Sequence, residues 1–160
     1  MFKWWFIDQR VPAGKKLLPG RLSVPQPEKR TAGIKANVLW DKTAYVLGVS
    51  ATSKRTDQEH AAFKALHVEA LKGTADTGLL ALRRFLETWN PALYAAHPKF
   101  AAYREELLDT NLVFRLHGDP ASSAGLQLLH QRPAAMALWQ ALQASSGSAS
   151  AAGDAVQCLV

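Results

Sequence analysis

The chain has 160 residues, 48% of them hydrophobic, which is enough for one domain with its own core and excludes wholesale disorder. Its single cysteine, Cys158, excludes an internal disulfide framework and a cysteine zinc cluster and favours a reducing cytoplasm. The net charge of +6 is uneven, because residues 1–55 hold eleven Lys/Arg and three Asp/Glu whereas residues 56–160 hold eight and ten, and this concentration predicts either a nucleic-acid surface or a merely solvated one.

The first 28 residues predict a strand followed by a long loop. Residues 4–7 are apolar enough for a strand but too short to cross a membrane, and no signal-peptide pattern accompanies them. Residues 9–28 carry repeated prolines and glycines among basic residues, which predicts a loop or an irregular hairpin. Long loops in compact domains are more often functional than decorative.

Residues 29–48 join a basic loop, broken by glycine, to an apolar run. Gly33 lets the backbone approach a groove closely, and Asn37 can read a base edge through its paired donor and acceptor. The cations able to contact phosphates here are Lys29, Arg30 and Lys35. The alternative is a turn with solvated lysines, in which Asn37 caps local backbone.

The apolar run itself predicts strands. Residues 38–40 are expected to be extended, residues 41–42 to turn, and residues 45–50 to form a buried strand of β-branched and aromatic character. Further along the chain, the alternation in residues 111–116 predicts another strand, and residues 118–120 a turn.

Apolar spacings of three and four residues predict amphipathic helices after residue 55. The first opens with a capping-box pattern at Thr56 and Glu59 and stops at Gly73. A second begins at Asp76 or Thr77, and prolines open a short and a longer helix. The remaining segments expected to be helical are 91–96, 98–108, 124–130 and 133–144, the last packing Met136, Leu138, Trp139 and Leu142.

The predicted fold class is therefore α+β, with a small, mostly antiparallel sheet and a basic loop rich in proline and glycine, packed against several short amphipathic helices. Residues 145–155 are rich in Ser, Gly and Ala and resemble a linker.

Catalytic and metal-binding patterns are weak. His60 and His67 lie two helical turns apart, but neither an HExxH spacing nor a cysteine pair accompanies them. His117 and Asp119 could supply a base and its orienting carboxylate, yet no recognisable nucleophile elbow is present. His97 precedes a proline and is expected to cap a helix. We therefore expect neither an enzyme nor a cofactor, with an uncharacterised hydrolase as the remote alternative.

Several blocks of the sequence resemble one known family. The block KRTAGIKANVLWDKTAYVLG at residues 29–48 is similar to a pattern in the large subunit of subtype I-C CRISPR surveillance complexes, called Cascade. Weaker similarity continues through residues 85–89 and 111–118 to the terminal residues 158–160. The resemblance covers most of the chain but only the amino-terminal part of the family's chain.

The resemblance implies a non-catalytic domain that recognises the protospacer-adjacent motif on target duplex DNA and helps to open the strands in antiviral defence. It implies residues 1–144 as the DNA-recognition domain, truncated at its start, and residues 145–160 as a flexible linker to an absent domain. The implied partners are double-stranded target DNA, guide RNA, other Cascade subunits and a recruited helicase-nuclease, in the cytoplasm and without a membrane.

On this resemblance, Asn37 and Lys29 are expected to contact the motif's bases or groove edge. Arg30, Thr31, Gly33 and Lys35 are expected to position the loop. The residues expected to hold phosphates of the flanking duplex are Lys15, Lys16, Arg21, Lys54 and Arg55. The alternative is an architectural module whose basic side faces guide RNA or neighbouring subunits.

Overall fold

The computed structural model describes residues 11–18, 21–31, 33–119, 127–145 and 156–159. These ranges contain short antiparallel strand pairs and several helices, so the predicted α+β class is confirmed. The strand predicted at residues 4–7 and residues 146–155 of the predicted linker lie outside the described residues. Residues 156–159, also within the linker expected at 145–160, are described and form a strand. Within the described ranges, no helix combines the length and the apolar composition needed to cross a bilayer.

Two strand pairs are built from the segment expected to be a loop or an irregular hairpin. Strand β1 (Val11–Ala13) pairs with β2 (Lys16–Leu18) in an antiparallel hairpin. Strand β3 (Arg21–Val24) instead pairs with β6 (Val156–Leu159), from the far end of the chain. The irregular hairpin is thus present, and a long-range pairing accompanies it.

The third pair corrects the strand prediction for residues 38–50. Strand β4 (Trp40–Lys42) pairs antiparallel with β5 (Asn111–Val113), so the turn predicted at residues 41–42 is wrong. The strand predicted at residues 45–50 is also wrong, because the chain forms the short helix α1 (Thr43–Val46).

Helix α1 escaped prediction for a physical reason. All four of its residues are buried, so a continuous apolar run fits a helix and a strand equally well, and periodicity cannot separate them. The signal that was present is Gly48, which has a φ of +71° just after the helix, as is common beyond a helix end.

Two longer helices agree with the sequence pattern. Helix α2 (Thr56–Ala70) ends before Gly73, but its predicted capping box is not formed, because the Glu59 carboxylate accepts from the Ser53 hydroxyl at 2.7 Å. Helix α3 (Thr77–Thr88) starts as predicted, with Asp76 accepting from the Leu79 N–H at 2.9 Å. Both pack against the common core.

The long helix predicted at residues 98–108 is wrong. Proline does open 3₁₀ helices at Pro91–Ala96 and Pro98–Phe100, and His97 caps the second as predicted by accepting from the Lys99 N–H. The chain then continues in turns. Phe100 is buried but Tyr103 is 45% exposed, so no continuous apolar face is available to stabilise a regular helix.

The helix predicted at residues 124–130 is not formed where the chain is described. Leu128 makes an isolated bridge with Arg115, and a 3₁₀ turn follows at Leu129–Gln131. Helix α4 (Pro133–Ser145) is confirmed, but Met136 is 49% exposed, so its predicted core position is wrong. The buried residue of α4 is Ala135, with Leu138, Trp139 and Leu142 partly buried against the core.

His67 ties helix α2 to the segment that precedes β4. Its Nε2 accepts from the Leu39 N–H at 2.9 Å, and its Nδ1 therefore carries the proton and donates to the Phe63 carbonyl at 2.8 Å. Leu39 has a φ of +64°, a conformation that costs a non-glycine residue about 1–2 kcal/mol. This buried hydrogen bond is one of the contacts that hold it there.

We expect acidification to destabilise the fold through His67. Burial lowers its pKa to about 4 from the ordinary 6.5, so the folded chain resists protonation while the unfolded chain takes up a proton. The stabilisation is fully present above pH 6.5 and is lost as the pH falls towards 4, a loss of about 3 kcal/mol at most. Urea unfolding across this pH interval measures it.

The matched variant is His67→Gln, which does not titrate. Burial also lowers the pKa values of His60 and His130, but both remain in each protein and cancel in the comparison. His67→Gln should therefore be less stable at neutral pH and show a shallower fall in stability on acidification. The same pH dependence in both proteins would contradict this role of His67.

Candidate nucleic-acid interface

Residues 29–37 are called the basic loop from here on. Arg30 makes the hydrogen bonds that hold this loop together. Its Nε donates to the Lys35 carbonyl at 2.8 Å, and its Nη2 donates to the Asp41 carboxylate. The guanidinium also lies over the Tyr45 ring, 4.1 Å from the ring centroid. Arg30 is thus bound on several sides and holds the loop from within.

The acceptor behind this arrangement is Asp41. Its side chain is fully buried in β4 and accepts from the Asn37 N–H and the Lys42 N–H, each at 2.8 Å, as well as from Arg30. Burial raises the pKa of Asp41, and the hydrogen bonds from Arg30 and Asn37 oppose that rise by favouring the carboxylate. Asp41 fixes both ends of the basic loop to the strand pair.

The outward side of the basic loop carries Lys29, Thr31, Gly33 and Lys35, all of which are exposed. Gly33 has a φ of +84° and open space where a Cβ would lie, so the backbone conformation and not crowding requires glycine there. Two cations and a hydroxyl therefore face solvent from a short, internally bonded loop. That arrangement is suited to phosphate contacts.

Asn37 lies on the inside of the loop. It is 3% exposed, and its Oδ1 accepts from the Glu28 N–H at 2.9 Å. This burial favours the local-backbone role over base reading, because a buried amide engaged at its oxygen cannot reach a base edge in this conformation. The sequence alone left both roles open for Asn37.

One cation of the predicted phosphate set acts on the same side chain as Arg30. Burial is the main cause that raises the pKa of the Tyr45 hydroxyl, and the charges of Arg30 and Arg55 oppose that rise. Arg55 and its neighbour Lys54 are exposed in the segment before α2. Arg55 is therefore within electrostatic range of the ring that Arg30 covers.

Lys42 is a cation that the sequence reading missed. It is exposed on β4, next to Asp41, and its charge helps to lower the pKa of Asp109, after the main effect of the Ser50 hydroxyl. The sequence placed it in a turn, where a lysine carries little information. The structure instead places it at the end of β4, opposite Asn111 of β5.

The remaining predicted phosphate contacts lie in the first strand pairs. Lys15 is exposed in the turn of the hairpin, Lys16 is in β2, and Arg21 is exposed on β3. None of the hydrogen bonds described above joins them to the basic loop, and their assignment stays a prediction.

Other polar residues fit structural roles. Arg132 is buried, donates to both Asp76 oxygens at 3.0 Å, and is ion-paired with Asp119. The Arg132–Asp76 pair joins the start of α4 to the start of α3. Asp119, the carboxylate of the hydrolase alternative, is buried against the same guanidinium. Across the described residues, no group of three His, Cys, Asp or Glu side chains is arranged to hold a metal ion.

Comparison with known proteins matches nearly the whole chain to one described family. The family model named Cas_Csd1, described as a CRISPR-associated protein, covers residues 2–160. The curated proteins contain no match to this chain.

We expect Asp41→Asn to destabilise the protein by about 2–3 kcal/mol, because it removes the charge that pairs with Arg30 and one of the buried oxygens that accept backbone N–H groups. Urea unfolding at neutral pH measures the change. The control is Glu87→Gln, which breaks the partly exposed Arg83–Glu87 pair on α3 and should cost less than about 0.5 kcal/mol. Similar losses of unfolding free energy in the two variants would show that Asp41 does not hold the basic loop in place.

Proposed function

The chain belongs to the CRISPR-associated Cas_Csd1 family, and on that premise we propose that it acts in the large subunit of a subtype I-C surveillance complex. In this role the basic loop contacts target duplex DNA at the protospacer-adjacent motif. The observation that carries the proposal is the basic loop, which Arg30 and Asp41 brace from inside while Lys29, Thr31 and Lys35 face solvent.

Bracing matters because it lowers the cost of binding. A loose lysine-rich loop would lose conformational entropy when it docks on a phosphate backbone, whereas a loop already held by hydrogen bonds loses less. The bonds from Arg30 to Lys35 and from Asn37 to Asp41 supply this preorganisation. The exposed ammonium groups then add the counterion-release contribution common to DNA-binding proteins.

Motif recognition is assigned to the exposed part of the loop. Lys29 is the residue proposed to reach a base edge, because it is exposed, whereas Asn37 is buried. Asn37 supports the loop through Glu28. The protein would then read a short duplex flank, and base pairing with guide RNA would read the remaining target.

The proposed partners follow from this division of work. They are double-stranded target DNA, guide RNA and other Cascade subunits, with a recruited helicase-nuclease making the cut. The chain itself is proposed to need no cofactor and to perform no catalysis.

An architectural module is the second candidate, and three exposed side chains favour it. Leu93, Tyr103 and Met136 are 52%, 45% and 49% exposed, and large apolar side chains of this kind are commonly buried against a neighbouring subunit. In this version the basic face contacts guide RNA or protein. A preference for RNA over duplex DNA, or binding only after the other subunits are added, would favour it.

We expect the double variant Lys29→Ala/Lys35→Ala to weaken binding to duplex DNA and to lower the slope of log affinity against log salt by up to about 2, the value for two lost phosphate contacts. Fluorescence anisotropy over a salt series measures both quantities. The matched control is Lys72→Ala, since Lys72 is exposed but paired with Glu69 at the end of α2. Equal effects in the two proteins would rule against the basic loop as the contact surface.

Asn37→Ala separates the two roles of Asn37. We expect it to weaken binding to motif-bearing and scrambled duplexes by the same factor, because it loosens the loop without removing a base contact. Lys29→Ala should instead reduce the difference between the two duplexes, by roughly 1–3 kcal/mol for a lost base contact. A loss of discrimination confined to Asn37→Ala would restore the base-reading role to Asn37. The comparison is made with the chain alone and within the assembled complex.

A further inference from the structure

The segment of residues 50–55, here called the second loop, is folded around its own hydroxyl groups. The Ser50 hydroxyl oxygen accepts from the Thr52 N–H at 3.0 Å and from the Ser53 N–H at 2.8 Å. The Ser53 hydroxyl oxygen accepts from the Arg55 N–H at 3.2 Å. These backbone donors point inward, so a phosphate would be met by the exposed side chains of Lys54 and Arg55.

Asp109, 59 residues after Ser50 in the chain, accepts hydrogen bonds from the second loop. Its carboxylate accepts from the Ser50 hydroxyl, from the Ala51 N–H at 3.2 Å and from the Thr52 hydroxyl at 3.1 Å. Its own N–H donates to the Thr43 hydroxyl at 2.8 Å, which anchors it to α1. Asp109 has a φ of +62°, a left-handed conformation that aspartate and asparagine tolerate better than most residues.

The two carboxylates that hold the loops, Asp41 and Asp109, lie in or next to the same strand pair, β4–β5. Asp41 lies in β4, and Asp109 lies just before β5, where the Thr43 N–H donates to the Thr110 carbonyl at 3.1 Å. Asp41 holds the basic loop and Asp109 holds the second loop. Lys42 follows Asp41 in β4, close enough for its charge to act on Asp109.

We propose that Asp109 is a positioning residue that holds Lys54 and Arg55 on the same face as the basic loop, so that the two loops together contact the phosphates of one duplex. This inference rests on the proposed DNA-binding function and names a second contact for it. Because this second contact is made to phosphates and not to base edges, it adds affinity without sequence preference.

The direction in which Asp109→Asn changes duplex affinity shows whether Asp109 acts by positioning the second loop or only through its negative charge. Removal of a negative charge near a DNA-binding face should strengthen binding by electrostatics alone. Asp109→Asn removes that charge and tolerates the same backbone conformation, but its side chain has one acceptor oxygen in place of two. In either amide orientation an N–H₂ group faces donors that a carboxylate oxygen accepted from, either Ala51 and Thr52 or the Ser50 hydroxyl, whose oxygen already accepts from two N–H groups. The inference therefore expects weaker binding in spite of the favourable change in charge.

The experiment is a double-mutant cycle on the full chain, read by anisotropy of a fluorescent duplex over a salt series. Asp109→Asn should lower affinity several-fold and reduce the salt slope, by up to about 2 if both second-loop contacts are lost. In the background Lys54→Ala/Arg55→Ala, the same substitution should have no further effect. Ser50→Ala, which loosens the second loop without changing charge, should act in the same direction as Asp109→Asn. Asp57→Asn, which removes an exposed charge from the first turn of α2, is the control.

Three results overturn the inference. One is unchanged or tighter binding by Asp109→Asn when the wild type binds duplex DNA. Another is an equal loss with and without Lys54 and Arg55, which would mean a general effect on the fold. If the wild type itself binds no duplex, alone or in the assembled complex, the proposed function fails and this inference fails with it.

Discussion

The conformation of the basic loop depends on the buried carboxylate of Asp41. A fully buried charge is costly unless it is paired and hydrogen-bonded, and Asp41 has partners in Arg30, in the Asn37 N–H and in the Lys42 N–H. These partners lie on both sides of it in the sequence. Satisfying one carboxylate therefore fixes the course of the basic loop and joins it to β4.

The same principle recurs across the strand pair. Asp109 accepts hydrogen bonds from the second loop as Asp41 does from the basic loop. Thr43, just after β4, links the two regions, because its hydroxyl accepts from the Asp109 N–H and its own N–H donates to the Thr110 carbonyl. Helix α2 supports this unit from behind, since His67 holds the backbone of Leu39 directly before β4. The Asp41 carboxylate is buried, whereas Lys29, Lys35 and Lys42 are exposed. A buried, paired carboxylate repels a nearby anion less than an exposed one would.

For a member of the Cas_Csd1 family, this arrangement favours a division between supporting and contacting residues. Arg30 and Asn37 belong to the support, although the sequence presents them beside the exposed lysines as equals. Lys29 and Lys35 remain the exposed cations of the basic loop. Lys42 is a further exposed cation, on β4 directly after Asp41.

The sequence by itself determined the α+β class, the limits of α2, α3 and α4, and the concentration of cations in residues 1–55, since these depend on local periodicity, capping residues and composition. It also supplied the family resemblance, which the family match supports as far as a CRISPR-associated family. It could not separate helix from strand at α1, where every residue is buried, or foresee the turns after Phe100. Which polar residue points inward was decided only by tertiary structure. Asp41 and Asp109 bind loops through partners 11 and 59 residues away in the chain, and no local pattern records such pairings.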